Sequence, residues 1–479
     1  MDTYLNLSLE AFSSFKQTSP NDKAAFLEEM ANQIDAARDQ LIPTASKESN
    51  LPQGRITGEL GRTLGQIRLF AQLVKEGSWV EATIDHADPN RSPLPKPDIR
   101  RMLRPLGPVL VFGASNFPLA FSTAGGDTVS ALASGCPVIY KAHPAHPETS
   151  RIVSEAIKVA IRKSNLPKGV FQHVEGGIET GQELANHPKI QAIAFTGSFR
   201  GGKALFDTAA QRDNPIPVYA EMGSINPIFT FETKLNNNLK ELAAAYVGSL
   251  TLGVGQFCTN PGLIFIPEKL SQTFGDAVLD NLKEVSAAPM LHEGIGKAYY
   301  EMLKSLESAD EIQWVQKADA EDIKLGSPAF VKIKGSDWLK DEAFQEEIFG
   351  PYGMMVTYRD REELQKLTQV LKGQLTCTVW GEDNELESSR NLIREIEEKC
   401  GRILFKGVPT GVEVGFAMQH GGPFPSTTDS RSTSVGVHAI KRFVRPVAFQ
   451  DMPGSLLPAE LAEGNPMGIW RTVDGNWQK

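Results

Sequence analysis

The sequence predicts an α/β protein built on parallel, doubly wound sheets, and three observations predict it. From residue 107, short apolar runs of buried-strand type alternate with helical stretches. A second alternation of the same kind begins near Gly262. Glycines, serines and polar residues collect just past several of the predicted strand ends. Strands alternating with helices imply a parallel sheet that binds ligands at the strands' carboxyl ends.

Composition narrows the class. The chain has 479 residues, 41% hydrophobic and 22% charged, enough for two or three domains around a large core. A formal net charge of −9 with no compensating basic block argues against nucleic-acid and anionic-membrane partners. No window approaches 18 uninterrupted apolar residues, so no transmembrane helix is expected. The opening residues lack a basic stretch followed by an apolar one, so no signal peptide is expected either. Cys136, Cys258, Cys377 and Cys400 lie far apart without a C-x-x-C pair. That spacing predicts no metal site and a reduced, cytoplasmic protein.

In chain order, Ser19 is an N-cap with Pro20 in the first turn of a helix carrying Phe26, Met30 and Ile34 at helical spacing. A second helix runs through about 57–76. Leu60, Leu64, Ile67, Ala71 and Val74 form its core stripe, and Arg62, Gln66, Leu69 and Leu73 form another. Residues 86–97 are proline-rich, and 98–106 read as an exposed basic strand suited to meeting another subunit. Strands are then expected at 109–112, 137–141, 170–174 and 192–195, with helices at 118–134, 148–163 and 179–186. The second alternation gives strands at 263–266, 329–333, 352–358, 376–380 and 402–406 and helices at 268–285, 294–308, 361–371 and 384–399. Residues 408–435 read as loop, and 445–450 as a late strand.

Several loops carry chemistry. Cys258 follows Gly253, Gly255 and Phe257 and precedes Pro261 and Gly262, so it sits where the backbone can approach a ligand and leave an amide free. By itself it reads more readily as a buried cysteine beside a turn, and only the motifs elsewhere in the chain overturn that. Asn116, after the strand 109–112, can aim an amide at a developing oxyanion or stabilise a turn. Lys141 ends the next strand, within reach of a ribose or phosphate. Thr196-Gly197-Ser198-Phe199-Arg200 makes a strand-to-helix turn suited to pyrophosphate, although no G-x-G-x-x-G is present. Glu221 precedes a glycine turn, and Glu347 and Phe349 share one face of an extended segment. His143 and His146, next to Pro144 and Pro147, read as structural.

Taken together these motifs resemble the aldehyde dehydrogenase superfamily. Asn116 in Ser-Asn-Phe-Pro, Lys141, Phe-Thr-Gly-Ser at 195–198, Glu221 in Glu-Met-Gly, Gly-Gln-Phe-Cys at 255–258 and Glu-Glu-Ile-Phe-Gly-Pro at 346–351 stand in its order and rough spacing. Residues 104–109, 113–122, 141–147, 223–227 and 429–436 are similar to its α-ketoglutaric semialdehyde (2,5-dioxopentanoate) dehydrogenase branch. The resemblance implies that Cys258 attacks the aldehyde as a low-pKa thiolate, while Asn116 and the Cys258 amide hold the oxyanion. Hydride leaves for a nicotinamide, and Glu221 activates water to hydrolyse the thioester. It further implies Lys141, Gly197, Ser198, Arg200, Glu347 and Phe349 as cofactor contacts, with Arg62, Gln66 and Phe117 lining the substrate tunnel.

By the same resemblance, residues 1–85 and 107–223 form a Rossmann-like cofactor domain and 224–441 an α/β catalytic domain. An oligomerisation arm combines 86–106 with 442–452, and 453–479 is a C-terminal tail. A homodimer or homotetramer follows. Many members carry a glutamate three residues after the Lys141 position; here it is Pro144, which implies that NADP is preferred and NAD accepted. The expected reaction is 2,5-dioxopentanoate to 2-oxoglutarate. The alternatives are an NADP-dependent dehydrogenase of long-chain or broad-range aldehydes, and a non-catalytic binding or structural protein.

Overall fold

Three sheets organise the chain in the computed structural model, which describes residues 2–319 and 322–479. The first has five parallel strands in the spatial order Phe171–Val174, Val138–Lys141, Val109–Phe112, Ala192–Thr196 and Val218–Glu221. Its order reverses direction on either side of Val109–Phe112, which opens a crevice past the carboxyl ends of that strand and of Ala192–Thr196. Val109, Leu110, Val138, Ile139, Tyr140, Ala192 and Ile193 are buried, as a sheet covered on both faces requires.

The second sheet has seven strands in the order Gln313–Gln316, Ala329–Lys334, Tyr352–Tyr358, Leu263–Pro267, Ile228–Thr230, Gln374–Trp380 and Cys400–Leu404. All neighbours run parallel except the first pair. A third sheet joins Val444–Gln450, Ile99–Pro105, Thr83–Asp85, Arg471–Val473 and Asn476–Gln478 in that order. The two segments expected to form an arm are therefore antiparallel partners, and the expected tail adds two strands beside them. Arg100, read as part of an exposed strand, is buried against Asp98 and Glu463.

Some elements differ from expectation for identifiable reasons. The helix expected over 118–134 begins only at Gly126, because the amides of Leu119 and Ala120 donate instead to the Glu59 carboxylate, at 2.8 and 2.9 Å. A helix over Glu232–Thr251 was not expected. Its Asn236-Asn237-Asn238 run is a poor helix former, and Asn238 leaves helical geometry. The helix expected over 384–399 is two, Asp383–Ser388 and Arg390–Glu397, separated at Ser389. Ser19 caps Pro20–Ala36 by accepting from the Asp22 amide. No helix among the described residues is long and apolar enough to cross a membrane.

Candidate active site

Glu221 ends the last strand of the first sheet, and Cys258 lies in the loop that leads into the second. Their meeting is enforced by the backbone around the cysteine. Gly255 adopts φ +66°, and a Cβ there would lie 2.2 Å from the Gly350 carbonyl, so only glycine fits. Val254 also has positive φ, at 60°, an expensive conformation for a β-branched residue. Asn226, fully buried, ties the loop from below: its amide nitrogen donates to the carbonyls of Ser224, Cys258 and Asn260 at 3.1, 2.8 and 2.9 Å. Asn260 in turn donates to the Gly350 carbonyl at 3.1 Å.

A histidine that the sequence reading did not single out completes the centre. Nε2 of His420 lies 3.5 Å from Sγ of Cys258 and 3.0 Å from Oε1 of Glu221. The other Glu221 oxygen accepts from the Ser434 hydroxyl. His420 and Glu221 are both buried. Burial would raise the Glu221 carboxyl, but the neighbouring His420 and hydrogen bonds from His420, Ser434 and Cys258 hold it below its ordinary range. For Cys258 the balance runs the other way. Burial, then the Glu221 charge and hydrogen bond, then Glu347 push the thiol well above its ordinary range, with Arg62 opposing. The surroundings thus run against the expected low-pKa cysteine: desolvation of the half-buried Cys258 sulfur and the facing carboxylate both raise the thiol.

Asn116 and Phe117 follow the strand Val109–Phe112. The Asn116 amide nitrogen donates to the Gln256 carbonyl at 3.2 Å, two residues before the cysteine, leaving its second hydrogen available. Arg55, also not singled out, donates to the Asn116 carbonyl at 3.0 Å and lies over the rings of Phe117 and Phe257 at 4.8 and 4.6 Å. Phe117 packs edge-on against Phe121 and Phe257.

Arg62 belongs to the helix Gln53–Glu76. Its guanidinium lies 5.2 Å from the Phe121 ring centre and donates to the Val412 carbonyl at 3.4 Å. Nη1 is buried without a hydrogen-bond partner among the described residues. Oε1 of Glu59 accepts from the amides of Leu119 and Ala120, its Oε2 is buried without a partner among the described residues, and no Arg62–Glu59 ion pair within 4 Å occurs among them. Gln66, one turn on, is buried against Gly126, which also faces the Ser434 carbonyl.

The remaining expected residues stand at the carboxyl ends of two first-sheet strands, Val138–Lys141 and Ala192–Thr196, and in the segment that leads into Tyr352–Tyr358. Lys141 is buried, its ammonium on the Ala142 carbonyl at 3.0 Å, and burial lowers its pKa. It has no ion-pair partner within 4 Å among the described residues. Gly197, Ser198 and Arg200 are exposed at the start of the helix Phe199–Ala210, where Ser198 accepts from the Gly201 amide. Glu347 faces Gly223, where a Cβ would stand 2.5 Å from its carboxylate, and burial pushes its carboxyl up to about 7. Glu347 and Phe349 line one crevice with Gly255 and Asn260. Lys141, buried without an ion-pair partner among the described residues, and the helix start at Ser198 suit a dinucleotide phosphate, and the half-buried Glu347 carboxylate suits a ribose hydroxyl.

The aldehyde dehydrogenase family profile matches residues 1–328. The α-ketoglutaric semialdehyde dehydrogenase 2 of Azospirillum brasilense is 46% identical over 473 residues, spanning 98% of this chain and 90% of that protein. The chain belongs to the aldehyde dehydrogenase family. It is an oxidoreductase that takes aldehydes to carboxylates. A second relative, the α-ketoglutaric semialdehyde dehydrogenase of Acinetobacter baylyi, is 42% identical over 478 residues, 99% of this chain and 91% of that one.

Solved aldehyde dehydrogenase structures share the fold at low identity. The NAD-dependent enzyme of Sinorhizobium meliloti superposes with a TM-score of 0.78 at 21% identity, covering 95% of this chain and 87% of that one. The GapN glyceraldehyde-3-phosphate dehydrogenase of Methanocaldococcus jannaschii, solved with NADP, gives 0.78 at 18%, covering 94% and 93%.

Proposed function

We propose that this aldehyde dehydrogenase oxidises 2,5-dioxopentanoate to 2-oxoglutarate with NADP, and accepts NAD. The substrate rests on near-full-length identity to two enzymes named for it. The chemistry rests on one observation, the meeting of Cys258, His420 and Glu221 beneath Asn116.

Cys258 adds through sulfur to the aldehyde carbon. Its proton passes directly to Glu221, to which the thiol is hydrogen-bonded. The aldehyde oxygen becomes an oxyanion taken by the free Asn116 hydrogen and the Cys258 amide. A bound nicotinamide supplies the hydride acceptor that turns this adduct into a thioester. Glu221 gives the proton taken from Cys258 to solvent and, ionised again with the support of His420 and Ser434, draws a proton from water as the water attacks the thioester, releasing the carboxylate product and the Cys258 thiolate. Lys141, Gly197 and Ser198 would hold the phosphate and adenosine end of the cofactor, and Glu347 and Phe349 would hold its nicotinamide half.

Arg62 is read as the partner of the substrate carboxylate, because its Nη1 is buried and unpaired close to the reacting sulfur. Arg402 is a second cation on the same loop, donating to the carbonyls of Pro409 and Gly411 while Arg62 takes Val412. Pro144, exposed three residues after Lys141, offers no carboxylate to repel a 2′-phosphate. The third sheet ends in Val444–Gln450, an edge strand with exposed Arg445, Pro446 and Ala448, which suits pairing with a second copy in a homodimer or homotetramer. The working compartment is read as the cytoplasm.

The test is a turnover panel with NADP and with NAD, comparing 2,5-dioxopentanoate with succinate semialdehyde, propanal and a long-chain aldehyde. The highest kcat/KM is expected for 2,5-dioxopentanoate with NADP. A higher value for the long-chain aldehyde overturns the substrate assignment.

A further inference from the structure

Sγ of Cys258, Nε2 of His420 and a carboxylate oxygen of Glu221 all lie within 4.8 Å of one another. We infer that this triangle binds a thiophilic divalent cation, Zn²⁺ foremost, and that the ion inhibits the enzyme by occupying its nucleophile and its base together. The coordination rests on geometry alone; only the inhibition rests on the roles proposed above.

The distances carry the argument. Zinc bonds of about 2.3 Å to sulfur and 2.0–2.2 Å to nitrogen and oxygen, set tetrahedrally, place sulfur and nitrogen about 3.5 Å apart and nitrogen and oxygen about 3.4 Å apart. The corresponding separations here are 3.5 and 3.0 Å, and the sulfur and carboxylate oxygen lie within 4.8 Å, so the nitrogen–oxygen edge opens by a few tenths of an ångström when the cation enters. The donor set selects the metal class. Thiolate, imidazole and one carboxylate suit zinc, whereas magnesium and calcium require oxygen donors. Binding replaces the thiol proton, which leaves to solvent as the sulfur lone pair bonds the cation, and the Nε2 proton of His420 moves to Nδ1 so that the Nε2 lone pair can ligate, with no change of oxidation state. A dication beside a thiolate and a carboxylate makes the buried site electrically neutral, where the two anions alone repel.

The same pocket argues for an exchangeable ion. Metal-bound histidines generally donate their second ring nitrogen to a fixed acceptor. Nδ1 of His420 is buried with no hydrogen-bond partner among the described residues. Nothing therefore locks the imidazole in a ligating orientation, and chelators should remove the ion.

The experiment uses the full-length enzyme with Zn²⁺ and with Co²⁺ as a spectroscopic substitute. One equivalent of Co²⁺ should give a sulfur-to-cobalt charge-transfer band that Cys258→Ser abolishes and Cys400→Ser retains. Zn²⁺ should slow alkylation of Cys258 by iodoacetamide, followed by mass spectrometry, and EDTA should restore it. His420→Gln and Glu221→Gln should each weaken that protection by about tenfold or more, as loss of a coordinating partner does. Alkylation of these variants without metal shows that the thiol is still reachable. A band that survives Cys258→Ser, or alkylation unaffected by Zn²⁺, overturns the site. Equal protection in all three proteins means that the cation meets sulfur alone, and overturns the three-ligand assignment.

Discussion

Nε2 of His420 stands 3.0 Å from Oε1 of Glu221, with both side chains buried. This contact, with the Ser434 hydroxyl on the other oxygen, keeps a buried carboxylate ionised where burial alone would protonate it. It also leaves Cys258 facing a negative charge, which is why the thiol is held high. The proposed nucleophile and the proposed base are thus set against each other.

The first prediction concerns that opposition. Glu221→Gln removes the charge and the hydrogen-bond acceptor that raise the Cys258 thiol, so its pKa should fall towards the ordinary value. Alkylation of Cys258 by iodoacetamide, measured against pH, should shift its midpoint to lower pH and run faster near neutrality. The same variant should release at most one reduced cofactor per active site and then stall as thioester, while Cys258→Ala should release none. A midpoint that moves to higher pH would show that Glu221 chiefly helps to ionise the thiol. Steady turnover by Cys258→Ala near the parent rate would remove the nucleophile assignment.

How much of this was legible beforehand depends on where each side chain's neighbours come from. Cys258, Asn116 and Glu221 stand in short motifs whose glycines and strand ends advertise a loop beside a sheet, and the structure brings the three together. His420 and Ser434 reach the site from 408–435, a stretch without periodicity, and their partner Glu221 is about two hundred residues earlier. The one local hint was a histidine followed by Gly421 and Gly422 in an otherwise aperiodic loop. The late start of the helix at Gly126 was equally hidden, because the carboxylate that diverts its amides belongs to Glu59. Periodicity reports on a segment's own faces; it carries no information on a distant side chain that competes for its backbone.

The second prediction follows from Glu347, whose carboxyl is pushed up to about 7 by burial. A group that protonates there is a charged acceptor above that pH and a neutral one below it. Cofactor affinity, measured by equilibrium binding without aldehyde, should therefore weaken as pH falls from about 8 to about 6. A hydrogen bond to a charged group is worth about 1.5–3 kcal/mol. The ionised fraction falls only about tenfold across that window, so the loss should approach about tenfold and not exceed it. Glu347→Gln should bind weakly at every pH and show a flat profile. An unchanged slope in the variant would place the titrating group elsewhere.

The third concerns the dinucleotide's far end. Lys141 is a buried cation without an ion-pair partner among the described residues, and Pro144 stands where a carboxylate would oppose a 2′-phosphate. The ratio of kcat/KM with NADP to that with NAD should exceed one. Pro144→Glu should lower this ratio by about tenfold, the effect of one added like charge at about 1.4 kcal/mol. Pro144→Ala serves as the control for the lost ring, and should leave the ratio near its parent value. A parent enzyme without measurable NADP activity would end this reading.

The last prediction separates recognition of a carboxylate from maintenance of the loop that frames it. Arg62 gives one hydrogen bond to the Val412 carbonyl, at a long 3.4 Å, and keeps a buried Nη1 in reserve. Arg402 spends its two terminal nitrogens on Gly411 and Pro409, at 3.1 and 2.7 Å. Their removal should therefore fail differently. Arg62→Ala should raise the KM for 2,5-dioxopentanoate about tenfold or more, the loss of a charge-assisted hydrogen bond of about 1.5–3 kcal/mol. Propanal, which has no carboxylate, should be nearly unaffected. Arg62→Lys should recover only part of the loss, since an ammonium cannot reproduce the planar fork. Arg402→Ala should instead weaken charged and uncharged aldehydes together, because it releases two carbonyls of the loop 409–411. If Arg62→Ala also weakens both aldehydes equally, Arg62 is a loop anchor like Arg402, and the carboxylate is held by another residue.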